Sequence, residues 1–247
     1  MKKTVLFCVL IACAALVGGA FILQKPFVQL RNAGGITVKG TAVRKVVSNA
    51  ATWEGRIEVR SFMDGRTDEQ TLKEGYEKIE LQTKIARECL LKQGATPESL
   101  EIGAPAISPI YEYVDGRSTG IVRGYQFVAS LYDHSTDVDN VRQLAHNASE
   151  LIRRGVEFTS GNPNFYYTKL ENLKVQLLQE ASSNARLRAH ALISGSGCVL
   201  GGVVSASQGV FQITEPLSTD VSDWGCYDTR SVEKEVKCVV TVTYAVK

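Results

Sequence analysis

The last sixteen residues leave the backbone little choice. From Val232 onward, Val236, Cys238, Val240, Val242, Tyr244 and Val246 share one side of a period-two pattern, while Glu233, Glu235, Lys237, Thr241, Thr243 and Lys247 share the other. Alternating β-branched and charged residues specify a long strand with one apolar face. The pattern recurs near the other end of the chain, where Ala51, Trp53, Gly55, Ile57 and Val59 alternate with Thr52, Glu54, Arg56, Glu58 and Arg60. Its charged face reads as a solvated sheet surface carrying cross-strand pairs. Ile36 to Val47, Tyr125 to Leu131, Val156 to Thr159 and Cys198 to Ile213 supply further strands, with Gly201-Gly202 marking a bulge or a close backbone approach in the last of these.

Between the strands the period changes. A helix starts at Thr67, with Gln70 as its capping-box partner, carries Leu72, Tyr76, Ile79, Ala86 and Leu90 on one face with Ile85 and Cys89 beside them, and stops at Gly94. A second runs from about Asp137 to Gly155 on Val138, Val141, Ala145, Ala148 and Ile152. A third opens on a Thr168 and Glu171 capping box and carries Leu170, Leu173, Leu177, Ala181 and Ala185. Pro97, Pro105 and Pro109 make the stretch between the first helix and Tyr125 irregular or edge-like. The order is β-β-α-β-β-α-β-α-β-β, which predicts an α+β fold: mostly antiparallel sheet with long helices on one face. The expected domains are a leader, 1–31, and one α+β domain, 32–247, with two lobes conceivable on either side of Asp133.

The N-terminus reads as an address. Thr4 to Gln24 carries no charge, follows Lys2-Lys3 and ends at Lys25-Pro26. Twenty-one residues at about 1.5 Å rise span roughly 30 Å, the thickness of a bilayer core. An uncleaved signal anchor fits that length best, and the flanking lysines favour a cytoplasmic N-terminus. A cleaved leader ending near Gly18-Gly19-Ala20 is an alternative, as is a lipoprotein with Cys13 of Leu10-Ile11-Ala12-Cys13 as the lipidated residue. All three readings place the rest of the chain outside the cytoplasm: an inner-membrane protein facing the periplasm or exterior, or a periplasmic protein or lipoprotein.

Chemistry-bearing motifs are scarce. The 28 basic and 26 acidic residues nearly balance, giving +2 and no basic patch for nucleic acid. His134, His146 and His190 are spaced for neither a zinc helix nor a recognisable triad. Asp133 to Asp139 imitates the start of a calcium loop but has Val138 where glycine is needed and Leu144 where the bidentate glutamate belongs. Gly195-Ser196-Gly197 follows a helix rather than opening one, so it is a turn and not a phosphate cradle. Cys198 and Cys238 lie on strands that could neighbour one another and form the candidate disulfide; Cys226, in a polar loop, is the candidate exposed thiol. No cofactor and no metal is implied. A ligand pocket, if there is one, is expected around Trp224, Tyr227 and the prolines between Pro97 and Pro109.

Three segments carry a family likeness: Ile36-Thr37-Val38-Lys39-Gly40 followed by Ala50-Ala51-Thr52-Trp53; the helix Glu180 to Ala189 leading through Gly197 to Leu200-Gly201; and the strand Val239 to Tyr244. Together they resemble the SIMPL-domain family, bacterial envelope proteins that include periplasmic oxidative-stress-defence and immunogenic proteins, over roughly residues 35–247. The resemblance implies an α+β fold, an envelope location, ring-like homo-oligomers and a loose link to stress tolerance. It supplies no catalytic residues. The expected function is therefore a non-enzymatic, membrane-held protein whose partner is itself, forming a scaffold or channel-like ring. A tethered monomeric binding module is the alternative, and an unrecognised hydrolase or thiol-redox enzyme the lesser one.

Overall fold

A computed structural model describes residues 34–247. The apolar run, Cys8 and Cys13, and with them the anchor, cleavage and lipidation readings, lie outside the described residues. No helix among the described residues is long and apolar enough to cross a membrane. In chain order the elements are β1 (Gly35–Val47), β2 (Ala50–Phe62), α1 (Asp68–Lys92), β3 (Leu100–Ile102), β4 (Ala106–Val114), β5 (Arg117–Ser135), α2 (Val138–Asn147), α3 (Ser149–Arg153), β6 (Phe158–Ser160), β7 (Asn164–Tyr166), α4 (Leu170–Ile193), β8 (Leu200–Gln208), β9 (Gln212–Thr214) and β10 (Glu233–Val246).

The fold is α+β and its ladders are antiparallel, as the alternation demands, but there are two sheets rather than one. The first has the order β1-β10-β8, with β9 extending β10; the second has the order β3-β5-β2-β6, with β4 also on β5 and β7 also on β2. Each sheet buries one face under its own helices. Trp53, Ile57, Phe127 and Leu131 meet Ile79 and Leu90 of α1 and Val141 and Leu144 of α2 in one core. Val38, Val236, Cys238, Val240 and Val242 meet Leu177, Ala181 and Ala185 of α4 in the other. The chain lays down β1, leaves to build the whole second lobe, and returns with α4. The lobes therefore part at Ser48-Asn49 and near Tyr167, not near Asp133, which lies inside β5. At the seam the Ser48 amide donates to the Val232 carbonyl and the Asn49 amide to the Tyr166 carbonyl, both at 2.9 Å.

Local expectations fare unevenly. Thr67 and Gln70 form the capping box at α1, and Gly94, at φ +112°, ends the helical segment in the conformation glycine tolerates best. Yet the buried face of α1 includes Thr71 and Gly75, while Tyr76 is displaced to its rim. A Cβ on Gly75 would stand 2.0 Å from the Phe127 ring, so the helix rests directly on that aromatic. The second helical stretch breaks at Ala148 into α2 and α3, which buries Leu144 and Leu151 and turns Ile152 outward. Helix α4 starts at Leu170 without a side-chain cap. Thr168 instead accepts a bond from the Asn49 side chain across the seam, 2.9 Å.

Helix α4 lies close against β1 because both surfaces are small. A Cβ on Gly40 would stand 2.0 Å from the Ala181 carbonyl oxygen. The same proximity protects the outer edge of β1. Asn184 accepts from the Thr41 amide, 3.1 Å, and Arg188 donates to the Lys39 carbonyl, 3.0 Å. An open strand edge is a template for unwanted pairing, and these side chains occupy it.

Candidate functional site

The segment between β9 and β10 is polar in sequence but built from within. Gln212, buried at the start of β9, accepts from the Cys226 amide (2.9 Å) and the Ser222 amide (3.4 Å) and donates to the Ser222 carbonyl (2.7 Å). Lys234, only 1 % exposed, sends its ammonium to the Asp228 carbonyl (2.7 Å), the Ser231 carbonyl (2.6 Å) and the Asp228 carboxylate (3.4 Å). Burial pushes the Asp228 carboxyl up. Hydrogen bonds from the Ser231 hydroxyl and the Arg230 and Ser231 amides, together with the Lys234 charge, outweigh it and hold the group below the usual carboxylate range. Burial is also the main influence on Lys234 and lowers its pKa despite Asp228.

Under this loop is an open cavity of about 370 Å³, lined among others by Ile213, Ser218, Asp220, Cys226, Tyr227 and Arg230. Tyr227 thus lies where a pocket is expected. Trp224 does not: it is 95 % exposed at the loop tip. Pro97 and Pro109 belong to the other lobe, so the structure does not bring them to this cavity. Nor do the histidines converge. His134, His146 and His190 are exposed on β5, α2 and α4 respectively. Among the described residues no three His, Cys, Asp or Glu side chains are grouped to hold a metal. The three aspartates of the calcium-like stretch point to different tasks: Asp133 accepts from Ser99 (2.6 Å), Asp137 caps α2 through the Asn140 amide (3.0 Å), and Asp139 pairs with Arg142 (2.7 Å).

All four described cysteines are free thiols. The expected Cys198–Cys238 bridge is corrected by register. Leu200 pairs with Val246 and Val199 with Lys247 at the far end of β10, which separates Cys198 from Cys238 by roughly 30 Å at about 3.3 Å per residue. A disulfide needs Cα atoms within about 7 Å. Cys198 is exposed while Cys226 is only partly so, which reverses the expected ranking of exposed thiols. Burial raises the pKa of Cys238, and Cys89 is buried against the core of the larger lobe.

A second feature stands out on the larger lobe. Strands β4 and β5 form a hairpin whose turn, Asp115-Gly116, has φ of 48° and 76°, the left-handed pair of a two-residue hairpin turn. The ladder of β2 with β5 ends at Gly124, followed by one bond from the Met63 amide to the Arg123 carbonyl at 2.9 Å, and the arm beyond that pairs only with itself. Tyr111, Tyr113, Val114 and Ile121 are exposed along it, Tyr113 by 66 %. Hydrogen bonds from Arg123, and then Thr119, hold Glu112 of this arm below the usual carboxylate range.

Several of these features carry signals in the sequence. The parity of β10 places Lys234 on the apolar side, between Val232 and Val236, where an unpaired lysine would be costly. Asp115-Gly116 is a hairpin signature hidden among the prolines. Gln212 carries no such signal, because its partners are backbone groups ten and fourteen residues away.

No curated protein matches the chain. A family model does, over residues 36–244, under the description SIMPL, Protein of unknown function (DUF541). That span covers both sheets, all four described helices, the loop cavity and the hairpin arm. The chain is a member of the SIMPL family.

Proposed function

We propose that the protein works as a homo-oligomeric envelope scaffold, held at the inner membrane by its N-terminal run and acting without a catalytic step. The observation that carries the reading is the hairpin arm. A two-stranded ribbon is at best marginal alone in water, and this one extends past its sheet with Tyr111, Tyr113, Val114 and Ile121 exposed. Aromatic residues at that exposure are what a subunit interface uses. Burial of the arm by a neighbouring copy would satisfy it, and a head-to-tail contact of that kind gives a ring when the rotation between copies closes. Stress tolerance would then follow from the assembly.

The test is the mass of the full chain in mild detergent by light scattering, alongside a Tyr113→Ser/Ile121→Ser variant. The expected result is a discrete oligomer that the double substitution dissociates into folded monomers. A monomeric parent protein refutes the assembly. A second reading, a tethered binding module, is favoured by the cavity under the Gln212-pinned loop, and gains if the parent is monomeric.

A further inference from the structure

We infer that the free end of the smaller lobe, where α4 ends and β8 begins, is a lipid-contact surface that lies against an anionic bilayer. The inference rests on the tether proposed above. The described chain begins there: the Gly34 carbonyl accepts from the Val246 amide, 2.9 Å, and Val199 and Lys247 exchange both backbone bonds at 2.7 and 3.0 Å. Eight residues lie between Lys25, at the end of the apolar run, and Gly34, so the link reaches at most roughly 30 Å. The seam to the larger lobe and the Trp224 loop lie at the opposite end of β10.

That end is apolar in an unusual way. Helix α4 covers β1 and β10 but reaches β8 only at its start, near Leu200. Val242 and Tyr244 are buried, whereas their ladder partners Ala206 and Val203, on the same face of the sheet, are exposed. An open groove of about 480 Å³ remains beside the last turns of the helix, lined by His190, Ala191, Ile193, Ser194, Val199 and Leu200. Leu187, Leu192 and Val199 are exposed around it, by 66 % or more. A strand bare on both faces with valines outward needs a cover.

Charge selects the cover. No Asp or Glu occurs in 34–38, 187–206 or 242–247, the segments nearest this end; their charged side chains are Lys247 and Arg188, the latter also bonded to the Lys39 carbonyl. The loop at the other end of β10 carries Glu215, Asp220 and Asp223 instead. A second copy presenting the same face would oppose like charges. A bilayer with anionic headgroups satisfies both the basic and the apolar components at once, each basic residue near such a surface strengthening attachment by about fivefold.

The test uses the full chain with Cys8→Ala, Cys13→Ala and Cys226→Ala, labelled at Cys198 with an environment-sensitive fluorophore and reconstituted in vesicles of phosphatidylcholine with phosphatidylglycerol. Flotation reports the tether separately. The expected result is a blue shift at Cys198 and quenching by brominated lipid. Both should be lost in Val199→Asp/Val203→Asp, two surface substitutions that leave the core untouched, while the chain still floats. A probe that stays in water on a floating chain overturns the inference and leaves the tether standing. A blue shift in the vesicles without quenching by brominated lipid assigns the cover to protein instead and also overturns it. A chain that does not float removes the tether, and the inference with it.

Discussion

Replacing Lys234 with methionine removes one charge from the best-sealed polar site in the smaller lobe. Methionine keeps the length of the stem and the packing of its methylenes but none of the three hydrogen bonds to Asp228 and Ser231. Removing one partner of a buried ion pair costs about 3–5 kcal/mol, because the other is left without compensation. Here the lower end applies. The Asp228 side chain is 15 % exposed, and its carboxylate keeps donors from the Arg230 amide, the Ser231 amide and the Ser231 hydroxyl. We therefore expect a loss of about 3 kcal/mol, or about two factors of ten in the folding equilibrium. Urea denaturation followed by tryptophan fluorescence would show it as a drop of about 1–1.5 M in midpoint, with an unchanged slope of about 2–3 kcal/mol per M. Because the folded-state pKa of Asp228 is depressed, its contribution is present above the ordinary carboxylate range and is lost as pH falls through the folded value. The variant should consequently lose less stability on acidification than the parent. A midpoint within experimental error of the parent, or an identical acid limb, would refute the view that this lysine holds the loop.

Gly40→Val should destabilise by about 3 kcal/mol or prevent folding, since overpacking alone costs about 1–3 and the Cβ meets the Ala181 carbonyl and the Ala185 backbone; thermal melts would show this against a silent Gly202→Ala control, where a Cβ meets nothing within 4 Å. Leu177→Ala, at a fully buried position on α4, should cost about 3–5 kcal/mol through the cavity it leaves, read by the same urea titration. Asp133 is 1 % exposed with one carboxylate oxygen unpaired, and burial raises its pKa. Stability should therefore fall as pH rises through that value, and Asp133→Asn should raise the melting temperature at neutral pH by a margin that closes in acid; equal margins at both pH values would contradict the assignment. Deleting the chain from Val232 removes the central strand of the first sheet, and recovery of soluble, folded protein would show that β1 and β8 can close without it.

Much of the fold was legible because its causes are local. The period-two pattern from Val232 and that from Ala51 each commit a long strand. Each lies inside its sheet with one face buried and apolar except at Ser61 of β2 and Lys234 of β10. The Thr67 and Gln70 box needed only neighbours three residues apart. The Thr168 box failed because a partner 119 residues away claimed the hydroxyl. The cysteine pairing failed because register is a property of two strands, and one strand cannot reveal which of its ends the other one meets.

The sequence by itself determined the long strands and the long helices, the apolar faces of β2 and β10, and which family the chain joins. Only the tertiary structure decided that there are two cores rather than one, that Lys234 and Gln212 hold a loop from inside, that the Asp115-Gly116 arm stands clear of its sheet, and that most of β8 lies beyond the cover of α4. The physical reason is one of range. Backbone preference and amphipathic period act over three or four residues, whereas burial and hydrogen-bond partnership depend on groups that only folding brings together.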